Sequence, residues 1–164
     1  MRGLFLSATS KGNWAAQKMG ELQRLCALHS VVILQETHGV GADLESLRRD
    51  IPEFDAFGCF HDQSDTGGVV TLVRKTLLRR ASSHQQVDIV QGRCMIIDIQ
   101  VGDITFQVIN LHVDPKAPIA IKKSLFEGIK QRLANPAAGF ALMGGDFNFD
   151  PYDEPRARLD EVDA

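Results

Sequence analysis

Apolar residues recur along this chain at two spacings, one typical of helices and the other typical of strands. Behind Asn13, a residue type that suits a helix N-cap, apolar residues repeat at helical spacing and predict a helix that ends near His29. Continuous apolar runs predict buried strands at residues 4–8 and 31–34. The chain therefore opens strand–helix–strand, which favours two parallel strands with a right-handed crossover. Helical spacing also predicts two further helices, over residues 42–50 and 117–133.

The middle of the chain has the patterns typical of β-structure. Gly102 and Asp103 predict a hairpin turn, and strands joined by short turns are antiparallel. Together with the parallel opening strands, this hairpin predicts a mixed sheet. A final apolar run at 140–143 predicts one more buried strand. The five strands predicted between the second and third helices cover residues 54–60, 68–74, 77–83, 93–101 and 104–112.

Composition and charge limit the function without naming it. The 164 residues fit one domain, and the 44% hydrophobic and 24% charged content is that of an ordinary globular protein. A net charge of −3 argues against a protein held on nucleic acid by bulk charge alone, although bound divalent cations would add positive charge to a phosphodiester site. The widely spaced Cys26, Cys59 and Cys94 indicate reduced core thiols. We find no run that suits a signal sequence or a membrane span, so we expect a soluble intracellular protein.

Two polar residues follow the final apolar run, just after it breaks at Gly144 and Gly145. Side chains two positions apart on extended backbone point the same way, so Asp146 and Asn148 are predicted to share one face. They would lie at the carboxyl end of a strand, the edge at which layered α/β proteins bind ligands. The alternative is a loop in which the two side chains only cap a turn.

Two further residues follow or end apolar strands in the same way. Glu36 comes directly after the strand at 31–34, where a carboxylate is a hard oxygen ligand suited to Mg²⁺ or Mn²⁺. The alternative for Glu36 is an exposed turn acid. His112 ends the strand at 104–112, and it is either a functional imidazole or a core histidine bonded to a neighbour.

Basic residues form two clusters that could lie near a polyanion. One cluster occupies the helix at 117–133, and the other comprises Arg74-Lys75 and Arg79-Arg80. Most basic runs are only solvated faces, so charge alone does not assign a partner to either cluster. The basic residues of the helix are Lys122, Lys123, Lys130 and Arg132.

Several short motifs match a known family in their order and spacing. They are Gln35-Glu36, the glycine-led strand Gly67–Val73, Gly92-Arg93, Asn110-Leu111-His112 and Gly144–Asn148. Together they resemble the endonuclease/exonuclease/phosphatase superfamily, which includes pancreatic deoxyribonuclease, AP endonucleases, retrotransposon endonucleases, sphingomyelinases and inositol-phosphate 5-phosphatases. The resemblance implies an α/β fold, a partial four-layer α/β sandwich of the deoxyribonuclease-like type with mixed sheets flanked by helices.

The resemblance also implies an activity and a set of roles. The activity is divalent-metal-dependent phosphodiester hydrolysis, with Mg²⁺ or Mn²⁺ as the cofactor and nucleic acid as the substrate. Glu36 would hold the metal, Asp146 would orient or deprotonate the attacking water, and Asn148 would donate to a phosphate oxygen. In-line attack on a phosphodiester builds negative charge on the non-bridging and leaving oxygens, so a metal and fixed donors must meet that charge.

The remaining matches lie on the substrate side by the same resemblance. His112 would protonate or hydrogen-bond the phosphate. Arg93 would sit nearby as a charged contact, and Asn110 would also belong to the substrate-binding set.

The sequence departs from the superfamily pattern at two places. Ser7-Ala8-Thr9-Ser10 stands where the family usually has an Asn that assists the metal shell. The Ser-Asp-His motif that closes the family's domain is missing between Asn148 and Ala164. We therefore expect residues 1–164 to form a single, incomplete domain of this type.

Three functions stay open at this point. The first is a metal-dependent phosphodiesterase, with a nuclease favoured over the other members. The second is a catalytically dead fragment or retroelement remnant of such a domain, and the third is a lipid or inositol phosphate phosphatase. The residues themselves do not choose among DNA, RNA, phospholipid and inositol phosphate.

Overall fold

Two β-sheets pack face to face between layers of helix in the computed structural model, which describes residues 13–61, 67–133 and 138–148. In chain order the elements are α1 (Asn13–Leu28), β1 (Val31–Gln35), α2 (Gly41–Asp50), β2 (Phe54–Cys59), β3 (Val69–Arg74), α3 (Lys75–Leu78), β4 (Ser83–Val90), β5 (Cys94–Val101), β6 (Ile104–His112), α4 (Ile119–Leu133) and β7 (Ala138–Asp146). The helices predicted over 13–29, 42–50 and 117–133 are confirmed to within two residues at each end.

The two sheets differ in the direction of their strands. The first sheet has the order β1-β3-β2, and both of its pairs are antiparallel. The second has the order β4-β5-β6-β7, in which β6 and β7 are parallel and the other pairs are antiparallel. A parallel pair needs a long crossover connection, and α4 lies in the segment that provides it. The predicted mixed sheet is therefore confirmed in the second sheet.

Three apolar cores separate four layers of structure. The first core joins α1 and α2 to the first sheet, with Leu22, Leu47 and Leu72 among its buried members. The second lies between the sheets and includes Val69, Met95, Ile97 and Val108. The third joins the second sheet to α4 and includes Ile96, Ile109, Leu111 and Leu125. The helix–sheet–sheet–helix order is that of the deoxyribonuclease-like sandwich.

The run Met95-Ile96-Ile97 shows why β5 has continuous rather than alternating apolar residues. Met95 and Ile97 contact the core between the sheets, whereas Ile96 contacts the core under α4. A strand covered on both faces needs apolar side chains at successive positions. Side chains also alternate between the two faces along β6, which places residues 108, 110 and 112 on the face between the sheets.

The strand predicted at 77–83 is wrong. Lys75–Leu78 forms a short helix, and Leu78 is buried in the core between the sheets. The strand that follows is β4, which begins at Ser83 and lies at the edge of the second sheet. An edge strand with one exposed face carries few apolar residues, so the polar segment Ser83–Gln86 lacks the pattern that predicts a buried strand.

Other predictions concern the cysteines, the membrane and the first strand. Cys26, Cys59 and Cys94 are free and buried, and burial raises the pKa of the Cys94 thiol to about 12.

Within the described residues, no helix is long and apolar enough to cross a membrane. The strand predicted at 4–8, its crossover and Ser7 lie outside the described residues.

Candidate active site

The carboxyl ends of β1, β6 and β7 meet at one rim of the core between the two sheets. β1 of the first sheet contacts both β6 and β7 of the second. A Cβ atom on Gly144 would overlap Cδ1 of Ile33, so the glycine allows β7 to pack closely on β1. Glu36 follows β1, His112 ends β6, and Asp146 ends β7 opposite His112 in the parallel register. These three sequence-predicted residues are therefore brought to the same rim.

The Glu36 carboxylate contacts basic groups on both of its oxygens. Its Oε2 lies 3.0 Å from Nε2 of His38. Its Oε1 lies 2.9 Å from Nδ1 of His112 and 3.3 Å from Nη1 of Arg93. The side chain of Glu36 is 22% exposed, so one part of the carboxylate faces solvent. Donors from His38 and Arg93 thus hold the Glu36 carboxylate, which is still accessible to a ligand.

Arg93 joins the residues of this rim through its guanidinium. Nη1 lies 2.6 Å from Nδ1 of His112, and Nη2 lies 3.4 Å from Oδ2 of Asp114. Because arginine has only donors, the bond to His112 requires Nδ1 of the imidazole to accept. The ring proton of neutral His112 is then on Nε2, which is a hydrogen-bond donor.

The backbone around Glu36 has an unusual conformation that two glycines support. Glu36 and His38 both have a φ of 53°, in the left-handed region that side-chain-bearing residues rarely adopt. Thr37 N–H and His38 N–H donate to the carbonyls of Gly68 and Gly67. A Cβ atom on Gly68 would lie 2.7 Å from Oγ1 of Thr37 and 3.3 Å from the His38 nitrogen. The glycine pair therefore leaves room for the turn that directs Glu36 and His38 to one another.

Asp146 and Asn148 occupy a turn rather than one continuous strand. β7 ends at Asp146, and Asn148 has a φ of 45°. The Asn148 N–H donates to Oδ1 of Asp146, and its side-chain amide donates to the carbonyl of Val113. The predicted shared face is wrong because the extended backbone on which it depends stops before Asn148. Both residues are exposed at the rim, so the turn-capping geometry leaves Asp146 open to solvent.

Asn110 lies below the rim, inside the core between the sheets. Its side chain is 0% exposed. The amide group donates towards the carbonyls of Leu34 and Val70 and towards Oγ1 of Thr71, and its oxygen accepts from Nε2 of Gln35. All four partners belong to strands of the first sheet. Asn110 therefore links the two sheets and does not face a substrate.

Comparisons with known proteins agree with this geometry. A family model for the endonuclease/exonuclease/phosphatase family matches residues 6–162. The chain belongs to this family. Comparison with curated protein sequences finds no significant match.

The fold of this family member is similar to that of several solved structures. TDP2 from Caenorhabditis elegans is 17% identical with a TM-score of 0.59, and the match covers 85% of this chain and 44% of that one. A family protein from Bacteroides thetaiotaomicron is 20% identical with a TM-score of 0.64, covering 93% and 62%. D. rerio TDP2, complexed with a single-strand DNA product, is 16% identical with a TM-score of 0.61, covering 87% and 57%. The chain thus spans 44% to 62% of the length of these solved chains.

Sequence reasoning missed two residues of the candidate site, His38 and Asp114. His38 is two positions from Glu36, but the left-handed backbone of both residues brings the side chains together in a way that strand alternation does not predict. Asp114 follows His112 and contacts Arg93. The only available signal was proximity in sequence to Glu36 and His112, which is too common to assign a role.

The candidate site offers a divalent ion the carboxylate of Glu36 rather than a closed metal cage. Within the parts of the chain that the structure describes, no three His, Cys, Asp or Glu side chains form a metal-binding group. Mg²⁺ commonly binds through one or two carboxylates and keeps several waters. A carboxylate offers about four lone-pair sites, and the donors of His38 and Arg93 occupy two of those of Glu36. Glu36 therefore retains acceptor capacity for one coordination bond to Mg²⁺ or Mn²⁺.

Burial and neighbouring charges shift the two central titrating groups. Burial would raise the pKa of Glu36, but the hydrogen bond from His38 and the positive charges around it lower the pKa instead. Burial lowers the pKa of His112, the Glu36 charge opposes this, and Arg93 lowers the pKa further. In metal-free protein near neutral pH, Glu36 is ionised and His112 is neutral.

We expect the imidazole of His112 to titrate below pH 6.5 in the metal-free protein, and Arg93→Met to raise its pKa. The variant removes a positive charge and the bond that keeps Nδ1 an acceptor. The measurement is the chemical shift of the His112 ring followed by NMR over pH in EDTA. A wild-type midpoint above 6.5, or a midpoint unchanged by Arg93→Met, would contradict the assigned geometry.

The sign of the effect on stability follows from the same shift. At a pH between the folded and unfolded pKa values of His112, the folded protein binds fewer protons at this site than the unfolded chain does. The stabilising contribution of neutral His112 is therefore present above about pH 6.5 and is lost as pH falls through the lower, folded-state pKa.

Proposed function

We propose that this chain carries a divalent-metal-dependent phosphodiester hydrolase site that acts on nucleic acid. The observation that supports it best is the convergence of Glu36, Arg93 and His112 from distant parts of the chain, with Asp146 on the strand beside His112. A carboxylate, a fixed cation, an imidazole and an accessible acid are the groups that phosphodiester hydrolysis requires. The chain belongs to the endonuclease/exonuclease/phosphatase family, and this membership agrees with the proposed chemistry.

Each residue has a task that its geometry allows. Asp146 is exposed and accepts a proton from, or orients, the water that attacks phosphorus. The Nε2–H of neutral His112 donates to a non-bridging oxygen of the phosphate. Arg93 fixes the tautomer of His112 and adds positive charge beside the phosphate, in a region shielded from bulk water where such charge acts strongly.

The divalent ion would bind to Glu36. When bound, it supplies charge stabilisation to the phosphate oxygens as a Lewis acid. The contacts from His38 and Arg93 hold the Glu36 carboxylate in one orientation before any ligand arrives. A preorganised carboxylate avoids the cost of ordering at the moment of binding.

Two residues receive revised roles in the proposal. Asn110 is a positioning residue that fixes β6, and with it His112, against the first sheet. Asn148 holds the turn after β7 through its bond to the Val113 carbonyl, and it would have to exchange this bond to donate to a phosphate oxygen.

Nucleic acid is the favoured substrate class because two structural neighbours bind or cleave it. One is D. rerio TDP2 in complex with a single-strand DNA product, and another is the endonuclease domain of TRAS1, a telomere-specific non-LTR retrotransposon, which is 9% identical with a TM-score of 0.52. The alternative is an inactive remnant of the family, which the small number of clustered acidic ligands in the described residues favours.

The test is a panel of end-labelled DNA and RNA oligonucleotides, an inositol phosphate and a phospholipid, each with Mg²⁺, Mn²⁺ or EDTA. We expect metal-dependent cleavage of at least one oligonucleotide and no turnover in EDTA. Turnover of only the inositol phosphate or the lipid would contradict the substrate class. No turnover of any substrate by folded protein would support the inactive remnant.

A further inference from the structure

A small cavity beside Arg93 and His112 adjoins a larger groove along α4. The cavity measures about 100 Å³ and is lined by Arg93, His112, Ile121 and Lys122 among others. The groove measures about 630 Å³ and is lined by Ile119, Lys122, Lys123, Phe126 and Glu127. Lys122 lines both, so the cavity beside Arg93 and His112 and the groove along the first turns of α4 adjoin at this side chain.

The charges of α4 are divided between its two ends. In the last turns, Lys130 pairs with Glu127 at 3.8 Å and Arg132 pairs with Asp98. In the first turns, Lys122 donates to the carbonyl of Pro115 and keeps its charge. Neither Lys122 nor Lys123 has an acidic partner among the described residues, so the uncompensated positive charge of α4 lies at the end beside the catalytic rim.

One carboxylate lines the groove and another lines the cavity, and both are already paired. Glu127 lies on the groove and pairs with Lys130. Asp114 lies on the cavity, contacts Arg93, and accepts from the backbone N–H of Lys116. Because these acids are partly neutralised by their own partners, the two lysines dominate the electrostatics of the groove.

Apolar side chains also line these two spaces, Ile119 in the groove and Ile121 in the cavity. Ile119 is 72% exposed and Ile121 is 54% exposed, although a helix face towards water normally carries polar residues there. Phe126 also lines the groove and is partly buried against the core under α4. Lysines alternating with apolar and aromatic groups form the surface that binds single strands, whose phosphates meet the cations and whose bases stack on the apolar groups.

We propose that this groove binds the single-stranded segment of nucleic acid that flanks the scissile phosphate. The inference rests on the proposed function for the position of the scissile phosphate beside Arg93 and His112. A duplex keeps its bases stacked inside, so it would leave Ile119 and Phe126 without contacts. A single strand uses both the lysines and the apolar floor.

The test measures binding rather than turnover, in EDTA, with a fluorescent 12-nucleotide single strand and its duplex. We expect the wild type to prefer the single strand and Lys122→Ser/Lys123→Ser to weaken single-strand binding by about tenfold at low salt. Each lysine–phosphate contact contributes roughly 0.7 to the slope of log affinity against log salt, so the double variant is expected to lower the slope by about 1.4. Phe126→Leu, which keeps the side chain apolar, should weaken binding about fivefold through lost stacking.

Arg79→Ser/Arg80→Ser is the matched control. It removes the same charge from exposed residues that follow α3, at the other end of β3 from the glycine pair beside Glu36. We expect its affinity to stay within about twofold of the wild type. Equal weakening by both double variants would show that binding depends on the total charge of the protein and would overturn the proposal. Stronger binding of the duplex than of the single strand would also overturn it.

Vesicles containing anionic phospholipid are the remaining comparison. Binding to these vesicles that depends on Lys122 and Lys123, without such a dependence for the oligonucleotide, would assign the groove to a membrane surface and overturn the proposal. Since EDTA removes metal-dependent turnover from all arms, failure of the groove is distinguishable from failure of the hydrolase activity.

Discussion

Replacing Asp146 by Asn is expected to lower the rate of metal-dependent phosphodiester hydrolysis by about 10²–10⁴-fold, the usual contribution of a positioned acid or base. The substitution removes the charge but keeps an oxygen that can accept from the Asn148 N–H, so the turn after β7 is retained. The reaction loses the group that orients and deprotonates water. The measurement is the single-turnover rate on the oligonucleotide that the wild type cleaves.

Asp103→Asn provides the control for the Asp146 prediction. Asp103 is exposed in the β5–β6 hairpin, at the opposite end of β6 from His112. The control should cleave at the wild-type rate. If Asp146→Asn also stayed within about threefold of the wild type, a typical catalytic contribution would be absent and Asp146 would lose its assigned role.

Replacing Asn110 by Leu is expected to lower the free energy of unfolding by roughly 3–5 kcal/mol, because buried groups left without partners cost about 1–3 kcal/mol each. Leucine has a similar size but cannot bond to the carbonyls of Leu34 and Val70 or to the Gln35 amide. Chemical denaturation followed by circular dichroism gives the value.

The Asn110 variant also separates two roles for this residue. A substrate-contacting residue would leave stability unchanged and raise KM, whereas the link between the sheets predicts a large loss of stability. Gln131→Leu is the comparison, because Gln131 is exposed on α4 and its replacement should cost less than about 1 kcal/mol. A stable Asn110→Leu protein with a raised KM would restore the substrate-binding role that the sequence suggested.

The sequence predicts the buried elements well because burial produces a pattern. β1 and β5 carry continuous apolar runs since each is covered on both faces. β4 escapes prediction because it is an edge strand whose exposed residues are free to be polar. The apolar pair Leu77-Leu78 resembles a strand, but a single helical turn buries Leu78 equally well.

The site is harder to predict than the fold because its residues meet only in three dimensions. Glu36 and His112 contact one another across 76 positions, and resemblance to a family indicated their proximity where spacing did not. Asn110 shows the opposite case. The alternation of side chains along β6 places Asn110 with Val108 between the sheets. This alternation predicts the buried position of Asn110 better than the family motif does.

Local backbone conformation accounts for the remaining differences. The left-handed φ values at Glu36, His38 and Asn148 interrupt the alternation on which a strand-based argument depends. The Gly67-Gly68 pair is the sequence feature that accompanies the turn at Glu36 and His38, and it lies about thirty positions away from them. This explains why the partnership of His38 with Glu36 was missed.

The most direct test is where a divalent ion binds in the folded protein, measured by the broadening of histidine ring resonances on addition of Mn²⁺. We expect the rings of His38 and His112, which both contact Glu36, to broaden first, and Glu36→Gln to abolish this effect. Glu45→Gln, on the exposed face of α2, should leave it unchanged. Broadening of both rings that persists in Glu36→Gln would show that the ion is not held by Glu36 and would contradict the proposed site.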